Sequence, residues 1–202
     1  MDQTMKKVAI VPYAPGRAYE FYDDRVIIDD TIIHYSEIKG YSYLLSHKKT
    51  SIDFIPAGNS TSFTVYFDVG QKKPFHFGRS HSSVMYFKTD EQRTLDVIFT
   101  ELVRCIEALI APDVFKKLVL PIVAENMPLT IGSLTINQAG LTKKTTFGQK
   151  SIYASEIGWA GVHQGFAIVK DSRNKNFFSC SLSTMNAPLI PDILNALYSA
   201  EQ

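Results

Sequence analysis

The sequence predicts an α+β protein built mainly of antiparallel β strands, with one helix after each of two β-rich segments. Three observations lead to this class. Short strand patterns alternate with frequent turn residues, and two stretches show the apolar spacing of a helix. Aromatic residues also form 12% of the chain, which favours strands. A chain of 202 residues has room for one large domain or two small ones.

Short strands separated by turns fill the beginning of the chain. The segment through Arg17, which contains prolines and a glycine, predicts an extended lead-in. Paired aspartates at 23–24 and 29–30 predict turns. Strand patterns are found before, between and after these turns, at Tyr19–Phe21, Arg25–Ile28, Thr31–Tyr35, Tyr41–Leu45 and Ser51–Ile55.

A loop, an alternating strand and a turn come next. Pro56–Ser60 has the composition of a loop. Ser62–Val69 alternates apolar and polar residues, which predicts that one face of the strand carries Phe63, Val65 and Phe67. Gly70–Pro74 predicts a turn into the strand-like Phe75–Phe77.

The clearest helix signal begins at Thr89, which forms a capping box with Gln92. Apolar residues then recur at three- and four-residue spacing: Leu95, Ile98, Leu102, Ile106 and Leu109. This pattern predicts a helix over about residues 90–111, which Pro112 ends or bends. A shorter amphipathic stretch continues over residues 114–120.

Strand patterns resume after Pro128 and lead to a second helix. They cover Leu134–Ile136, Leu141–Phe147, Ser151–Ala154, Trp159–His163, Phe166–Lys170 and Phe177–Leu182. Trp159 lies inside such a pattern, so we expect its side chain in the core. Asn186 is the expected N-cap of a helix over about residues 187–199, with Pro188 in the first turn.

The two halves share an order of elements and a short stretch of sequence. Ile33–Ile38 aligns with Ile152–Ile157, and the tripeptide Ser-Glu-Ile is identical in both. We therefore expect an internal duplication, with one domain over residues 1–120 and a second over residues 121–202. The alternative is one continuous mixed domain.

The repeated Glu-Ile pair has two interpretations. It fits a strand edge where the isoleucine points inward and the glutamate outward, so that Glu37 and Glu156 are solvated carboxylates. The alternative is that the two glutamates are paired functional acids. We expect the first.

The second half carries a further pattern, formed by Ile131–Ile136, Gly140-Leu141, Ile152–Ile157, Gly165–Ile168 and Asn186 with Pro188. This pattern resembles an uncharacterised family of bacterial-type pleckstrin-homology-like (PH-like) proteins, and the first half matches it more loosely. The resemblance implies two PH-like antiparallel β-barrels or rolls, each ending in a C-terminal α-helix. Because the shared motifs are structural, the resemblance implies a fold and no activity.

Charge and composition restrict the partners and the location. Lys and Arg number 21 against 20 Asp and Glu, and neither half carries the broad basic field that nucleic-acid binding needs. We therefore expect no nucleic-acid partner. No stretch has the length of a transmembrane segment, and Val8–Val11 is too short for a signal-peptide core, so we expect a cytoplasmic protein. Cys105 and Cys180 fit small buried side chains, and a disulfide between them stays open.

Few residues point to chemistry. His76 and His81 flank Arg79, and this stretch has donors for an anion, but the spacing is not that of a metal site. A polar turn between two strands is the favoured interpretation. Nucleophile elbows, phosphate-binding loops and dinucleotide fingerprints are absent from the sequence, so we expect no enzyme and no cofactor.

A small basic group stands in the second half. Lys143 and Lys144 lie on one expected strand and Lys150 in the turn after it. The PH resemblance implies that basic residues near the first strands bind anionic lipid headgroups, although a solvated strand face is the favoured interpretation.

The leading function hypothesis is therefore a non-enzymatic module that binds a protein or a peptide. Peripheral membrane binding through these lysines is the alternative, and an enzyme that uses the loop between the two histidines ranks last. A peptide binder requires an unpaired strand edge or an apolar groove between a strand and a helix. Such an edge would also suit dimerisation, so the oligomeric state stays open.

Overall fold

Antiparallel strands form about half of the described residues, more than the helices do, which confirms the predicted mainly-β class. The computed structural model describes residues 6–52, 55–84 and 88–198. Contacts divide the chain into two units. The first unit comprises Met1–Lys39 and Tyr43–Asp113, and the second unit comprises Gly40–Ser42 and Val114–Gln202.

The first seven strands form two sheets. One contains β1 (Lys7–Ala14), β2 (Arg17–Tyr22), β3 (Arg25–Ile28) and β4 (Thr31–His34), paired in that order. A 3₁₀ turn, Tyr35–Glu37, leads to the other sheet, which contains β5 (Gly40–Ile52), β6 (Ile55–Asp68) and β7 (Phe75–Ser83), also paired in order. Helix α1 (Asp90–Leu109) and helix α2 (Ala111–Glu125) follow.

The remaining strands repeat this order. One sheet contains β8 (Leu129–Ile131), β9 (Leu134–Asn137), β10 (Gly140–Thr145) and β11 (Gly148–Tyr153), paired in order. After a 3₁₀ turn, Ala154–Glu156, the other contains β12 (Ile157–His163), β13 (Phe166–Asp171) and β14 (Asn176–Ser181). A 3₁₀ turn at Ala187–Leu189 leads into helix α3 (Ile190–Tyr198). None of the four sheets closes into a barrel within the described part of the chain.

The core of the first unit follows the predicted periodicities. Phe63, Val65 and Phe67 of β6 are at most 1% exposed, because alternate residues of a strand share a face. Helix α1 buries the predicted stripe that includes Leu95 and Leu102. The capping box is also present: the Thr89 N–H donates to Gln92 Oε1 at 3.0 Å, and the Gln92 N–H donates to Thr89 Oγ1 at 3.4 Å.

Two segments predicted as irregular are strands. The expected lead-in forms β1, which pairs with β2 at the edge of its sheet. Pro12 has no N–H to donate, and it is tolerated there because β2 is the one described strand that pairs with β1. The expected loop Pro56–Ser60 is part of β6. There Asn59 pairs with Ser83, so pairing with β7 overrides the loop-like composition. In the strand expected at Ser51–Ile55, Asp53 and Phe54 lie outside the described residues.

From the sequence, the Ser-Glu-Ile tripeptides are expected at strand edges, and this expectation is wrong. Their Ser and Glu lie in the two 3₁₀ turns that join the sheets. Each glutamate accepts a hydrogen bond from the backbone at the start of its own turn. Glu156 accepts from the Tyr153 N–H at 2.9 Å, and Glu37 accepts from the His34 N–H at 3.4 Å. These carboxylates therefore cap turns. This role explains why a glutamate recurs at the equivalent position of each half, without a shared chemical role.

Asn186 stands at the expected N-cap position, but its side chain does not cap the helix. Its backbone is left-handed, with φ of 64°, a conformation that asparagine tolerates. The side-chain Oδ1 accepts from the Tyr41 N–H at 3.1 Å, and the Asn186 N–H donates to the Tyr41 carbonyl at 2.8 Å. A Cβ at Gly40 would lie 2.6 Å from Asn186 Oδ1, so only glycine fits beside this pair of bonds.

The cysteine thiols are free, Cys105 buried and Cys180 partly buried, and burial raises the pKa of both. No described helix combines the length and the apolar character that crossing a membrane requires.

Candidate functional site

The stretch with the two histidines is strand β7 and not a polar turn. The ladder with β6 continues through it, pairing Ser80 with Ser62 and His81 with Thr61. Because side chains alternate along a strand, His76 lies on the face opposite to Arg79 and His81. The structure therefore separates the two histidines that the sequence places close together.

Arg79 and His81 share a cavity of about 460 Å³ in the first unit, with α1 residues such as Glu91 and Thr94 on its other side. The Arg79 guanidinium carbon lies 3.8 Å from the centre of the Tyr13 ring, a cation–π contact. This stacking occupies one face of the guanidinium. The cavity has the size of a small-molecule site, and Arg79 is the group in it suited to an anion.

The part of the chain that the structure describes contains no candidate metal site. Across residues 6–52, 55–84 and 88–198, no three His, Cys, Asp or Glu side chains lie close enough together to hold an ion.

The three predicted lysines do not form one surface. Lys143 of β10 pairs directly with Lys150 of β11, so both point to one side of the sheet, whereas Lys144 points to the other. The Lys143 amino group donates to the Phe177 carbonyl and lies 5.0 Å from the centre of the Phe177 ring. A cavity of about 280 Å³ touches Lys143 and Lys144, but the shared basic face expected from the sequence is divided.

Strand β12 is the edge of its sheet. It pairs with β13 on one side, and no other described strand pairs with it. A groove of about 150 Å³ runs between β12 and helix α3 and is lined by Ala154, Ile157, Gly158, Trp159, Ala160, Leu194, Asn195 and Tyr198. The lining combines aliphatic side chains, such as Ile157 and Leu194, with polar groups, and the Tyr198 hydroxyl donates to the Gly140 carbonyl at 3.0 Å.

Trp159 is not in the core, in contrast to the expectation, because 46% of its surface is exposed. A Cβ on Gly161 would lie 2.2 Å from Trp159 Cζ2, so the indole ring lies over Gly161 along the strand. The Lys170 amino group lies 5.6 Å from the ring centre. The glycine leaves space for a flat aromatic surface beside the unpaired edge.

Exposed apolar side chains continue around this edge. Val162 of β12 and Phe166 of β13 are each 48% exposed, about as much as Trp159. Trp159 lies opposite Lys170, whereas Ala160 lies opposite the buried Val169, so these neighbouring residues face opposite sides of the sheet. Trp159 also borders the α3 groove, so the aromatic ring and the groove adjoin along this edge.

Nothing in the sequence pattern singles out Asn195 or Gly161 as site residues. One signal was present: the stretch Ile157–His163 contains no Lys, Arg, Asp, Glu or Pro, the residues that usually protect an exposed strand edge.

No protein-family model matches the chain, and comparison with curated proteins gives no significant match.

Proposed function

We propose that the chain is a tandem of two PH-like units that arose by duplication, and that its second unit is a non-enzymatic module that binds an extended peptide along β12. The order of elements supports the tandem: in each half, four strands, a 3₁₀ turn and three strands precede a helix. The Ser-Glu-Ile tripeptide contributes to the equivalent turn of each half.

The edge of β12, which lacks charged side chains and prolines, carries the peptide-binding proposal. Native proteins protect sheet edges with charged side chains, prolines, bulges or covering elements. Of these devices, β12 has a bulge between Ile157 and Trp159 and lacks charged side chains and prolines. Main-chain groups of such an edge form hydrogen bonds with an added strand, which gives affinity for extended peptides.

The two sides of the edge define what the peptide carries. A strand added to β12 directs alternate side chains to opposite faces. One of the two sets enters the groove, which Trp159 borders together with Leu194 and Asn195. We expect bound peptides to carry an aliphatic side chain for the groove and an aromatic or aliphatic side chain next to Trp159.

The test uses the full chain to select binders from a displayed library of random peptides. Trp159 is the one tryptophan of the chain, so its fluorescence reports directly on binding at this edge. Asn195→Arg places a long side chain in the groove. Ala196→Arg makes a matched change at the next residue, which is also exposed and does not line the groove.

Selected peptides should bind Asn195→Arg at least about tenfold more weakly than Ala196→Arg, the loss expected when one contact of a binding site is blocked. Equal affinities for the two variants, or a selection that yields no binder, would refute the proposal. Self-association of the chain that Asn195→Arg abolishes would assign the same edge to a dimer instead.

One observation favours a second candidate, peripheral membrane binding. Phe147, in the turn between β10 and β11, is 100% exposed, and Lys144 and Lys150 stand on the two strands beside it. Exposed aromatic side chains flanked by lysines suit the interface of an anionic membrane. Sedimentation with anionic vesicles that Phe147→Ser abolishes would support this candidate, and an absence of sedimentation at low salt would remove it.

A further inference from the structure

The cavity between β7 and α1 contains an arginine that is fixed in place. Arg79 stacks on the ring of Tyr13, with the guanidinium carbon 3.8 Å from the ring centre. The Tyr13 hydroxyl donates to Asp29 Oδ1, and the Tyr13 ring lies 4.5 Å from that of Tyr19 between centres. Tyr19 is 1% exposed and packs in turn on Phe77. The guanidinium therefore rests on a buried aromatic support, so little ordering is needed when a ligand binds to it.

The Arg79 guanidinium has hydrogen-bonding capacity to spare. Its buried Nε N–H has no hydrogen-bond partner among the described residues. Within the same residues Arg79 forms no ion pair, whereas four other arginines pair with an aspartate or glutamate close by in sequence: Arg25, Arg93, Arg104 and Arg173. A partly buried guanidinium of this kind is suited to an anionic ligand, because charge-assisted hydrogen bonds are the strong ones.

The cavity is also lined by a carboxylate, that of Glu91 in the first turn of α1. Hydrogen bonds from its own backbone N–H and from the Thr89 hydroxyl hold the pKa of Glu91 below its usual range. The Glu91 carboxylate is therefore bound at the N-terminus of the helix, and it leaves the Arg79 guanidinium available.

The apolar part of the wall narrows the class of ligand. Leu95 and Ile98 of α1 line the cavity and are 8% and 7% exposed. The volume of about 460 Å³ lies within the range of about 300–1,000 Å³ of small-molecule sites. One guanidinium supplies a single positive charge and two parallel N–H groups, which match a carboxylate better than a phosphate dianion.

We propose that this cavity binds a small aliphatic carboxylate, with the carboxylate group on Arg79 and the hydrocarbon chain on Leu95 and Ile98. The Tyr13 ring covers one face of the guanidinium, and the edge of the guanidinium forms the hydrogen bonds to the carboxylate. His81, two residues further along β7, lines the same cavity and supplies a further hydrogen bond. This site lies in the first unit and does not depend on peptide binding by the second unit.

The experiment is a titration of the full chain with three eight-carbon probes, octanoate, octan-1-ol and octyl phosphate, followed by amide NMR shifts. Octanoate should shift the amides of Gly78–His81 and Thr94–Ile98. It should bind at least about tenfold more tightly than octan-1-ol, the effect of one charge-assisted hydrogen bond. Equal binding of these two probes, tighter binding of octyl phosphate, or no binding of octanoate would overturn the proposal.

A matched pair of variants tests where the carboxylate binds. Thr94 and Thr100 are exposed residues of α1, and each hydroxyl donates to the carbonyl four residues earlier at 2.9 Å. Thr94 lines the cavity and Thr100 does not. Thr94→Glu adds a competing carboxylate to the cavity wall and should weaken octanoate binding at least about tenfold, whereas Thr100→Glu should leave it unchanged. Equal affinities of the two variants would contradict the site.

Removing the guanidinium tests the residue that binds the carboxylate. Arg79→Gln should weaken octanoate binding at least about tenfold and leave octan-1-ol binding unchanged, because the alcohol carries no charge. Arg17→Gln removes the same charge from an exposed position that does not line this cavity, and it should change neither affinity. Octanoate binding that is unaffected by Arg79→Gln would refute the role of Arg79.

Discussion

The contact between Trp159 and Gly161 gives the sharpest prediction about the β12 surface. Replacing Gly161 with alanine places a Cβ 2.2 Å from Trp159 Cζ2 and 2.6 Å from Cη2, well inside van der Waals contact. Because the ring is 46% exposed, it can rotate away, and its flat position over the strand is lost. Leaving a favoured rotamer costs about 1 kcal/mol, and the rotated ring also weakens its contact with Lys170.

The assay is a double-mutant cycle measured by urea unfolding and circular dichroism. Alanine at position 161 should destabilise the natural chain by about 1 kcal/mol. In the Trp159→Ala background the clash is absent, so Gly161→Ala should be neutral, or stabilising by about 0.4–1 kcal/mol through the unfolded state. The expected coupling free energy is about 1–2 kcal/mol. Equal effects of Gly161→Ala in both backgrounds would refute the placement of the ring over Gly161.

Three further predictions concern hydrogen bonds and buried groups within the units. Burial raises the pKa of Tyr198 to about 12. The contribution of the protonated Tyr198 to the free energy of unfolding is therefore complete below the unfolded pKa of about 10, and it is lost as pH rises towards 12. Tyr198→Phe should therefore flatten the fall in unfolding free energy over that range. Glu156→Ala should cost about 1 kcal/mol in urea unfolding and Glu37→Ala less, because the Glu37 bond is longer at 3.4 Å. Asn186→Ala should cost about 1–3 kcal/mol because it removes the side-chain acceptor of the Tyr41 N–H, and a cost near zero would contradict this bond.

The sequence predicts well those elements that repeat over many residues. Helix α1 begins with the predicted capping box because Thr89 and Gln92 satisfy one another locally. The alternation of β6 buries Phe63, Val65 and Phe67 as expected. In both cases the signal lies within one element, so no distant partner is needed to detect it.

Predictions that depend on a distant partner are wrong more often. Pro56–Ser60 looks like a loop but is part of β6, and its Asn59 and Ser60 pair with β7. Asn186 looks like a helix cap, but its side chain bonds to Tyr41, which is far away in sequence. The helical stretch expected to stop before Pro121 continues to Glu125.

The candidate site was the least predictable part. Trp159 in an apolar strand pattern indicates a core residue, because the sequence does not reveal that β12 lies at the edge of its sheet. The histidines of β7 are close in sequence, but strand alternation sends His76 to the other face. The order of strands in the sheet determines the exposure of Trp159, and the direction of the side chains determines which histidine lines the cavity. Neither property can be recognised from neighbouring residues in the sequence.

The most direct test of the peptide-binding claim is an amide NMR titration of the full chain with a selected peptide. The claim predicts shift changes along Ile157–His163 and at Asn195, together with slowed hydrogen exchange of β12 amides as the peptide pairs with the edge. Changes confined to other strands, with β12 exchange unaltered at saturation, would contradict it.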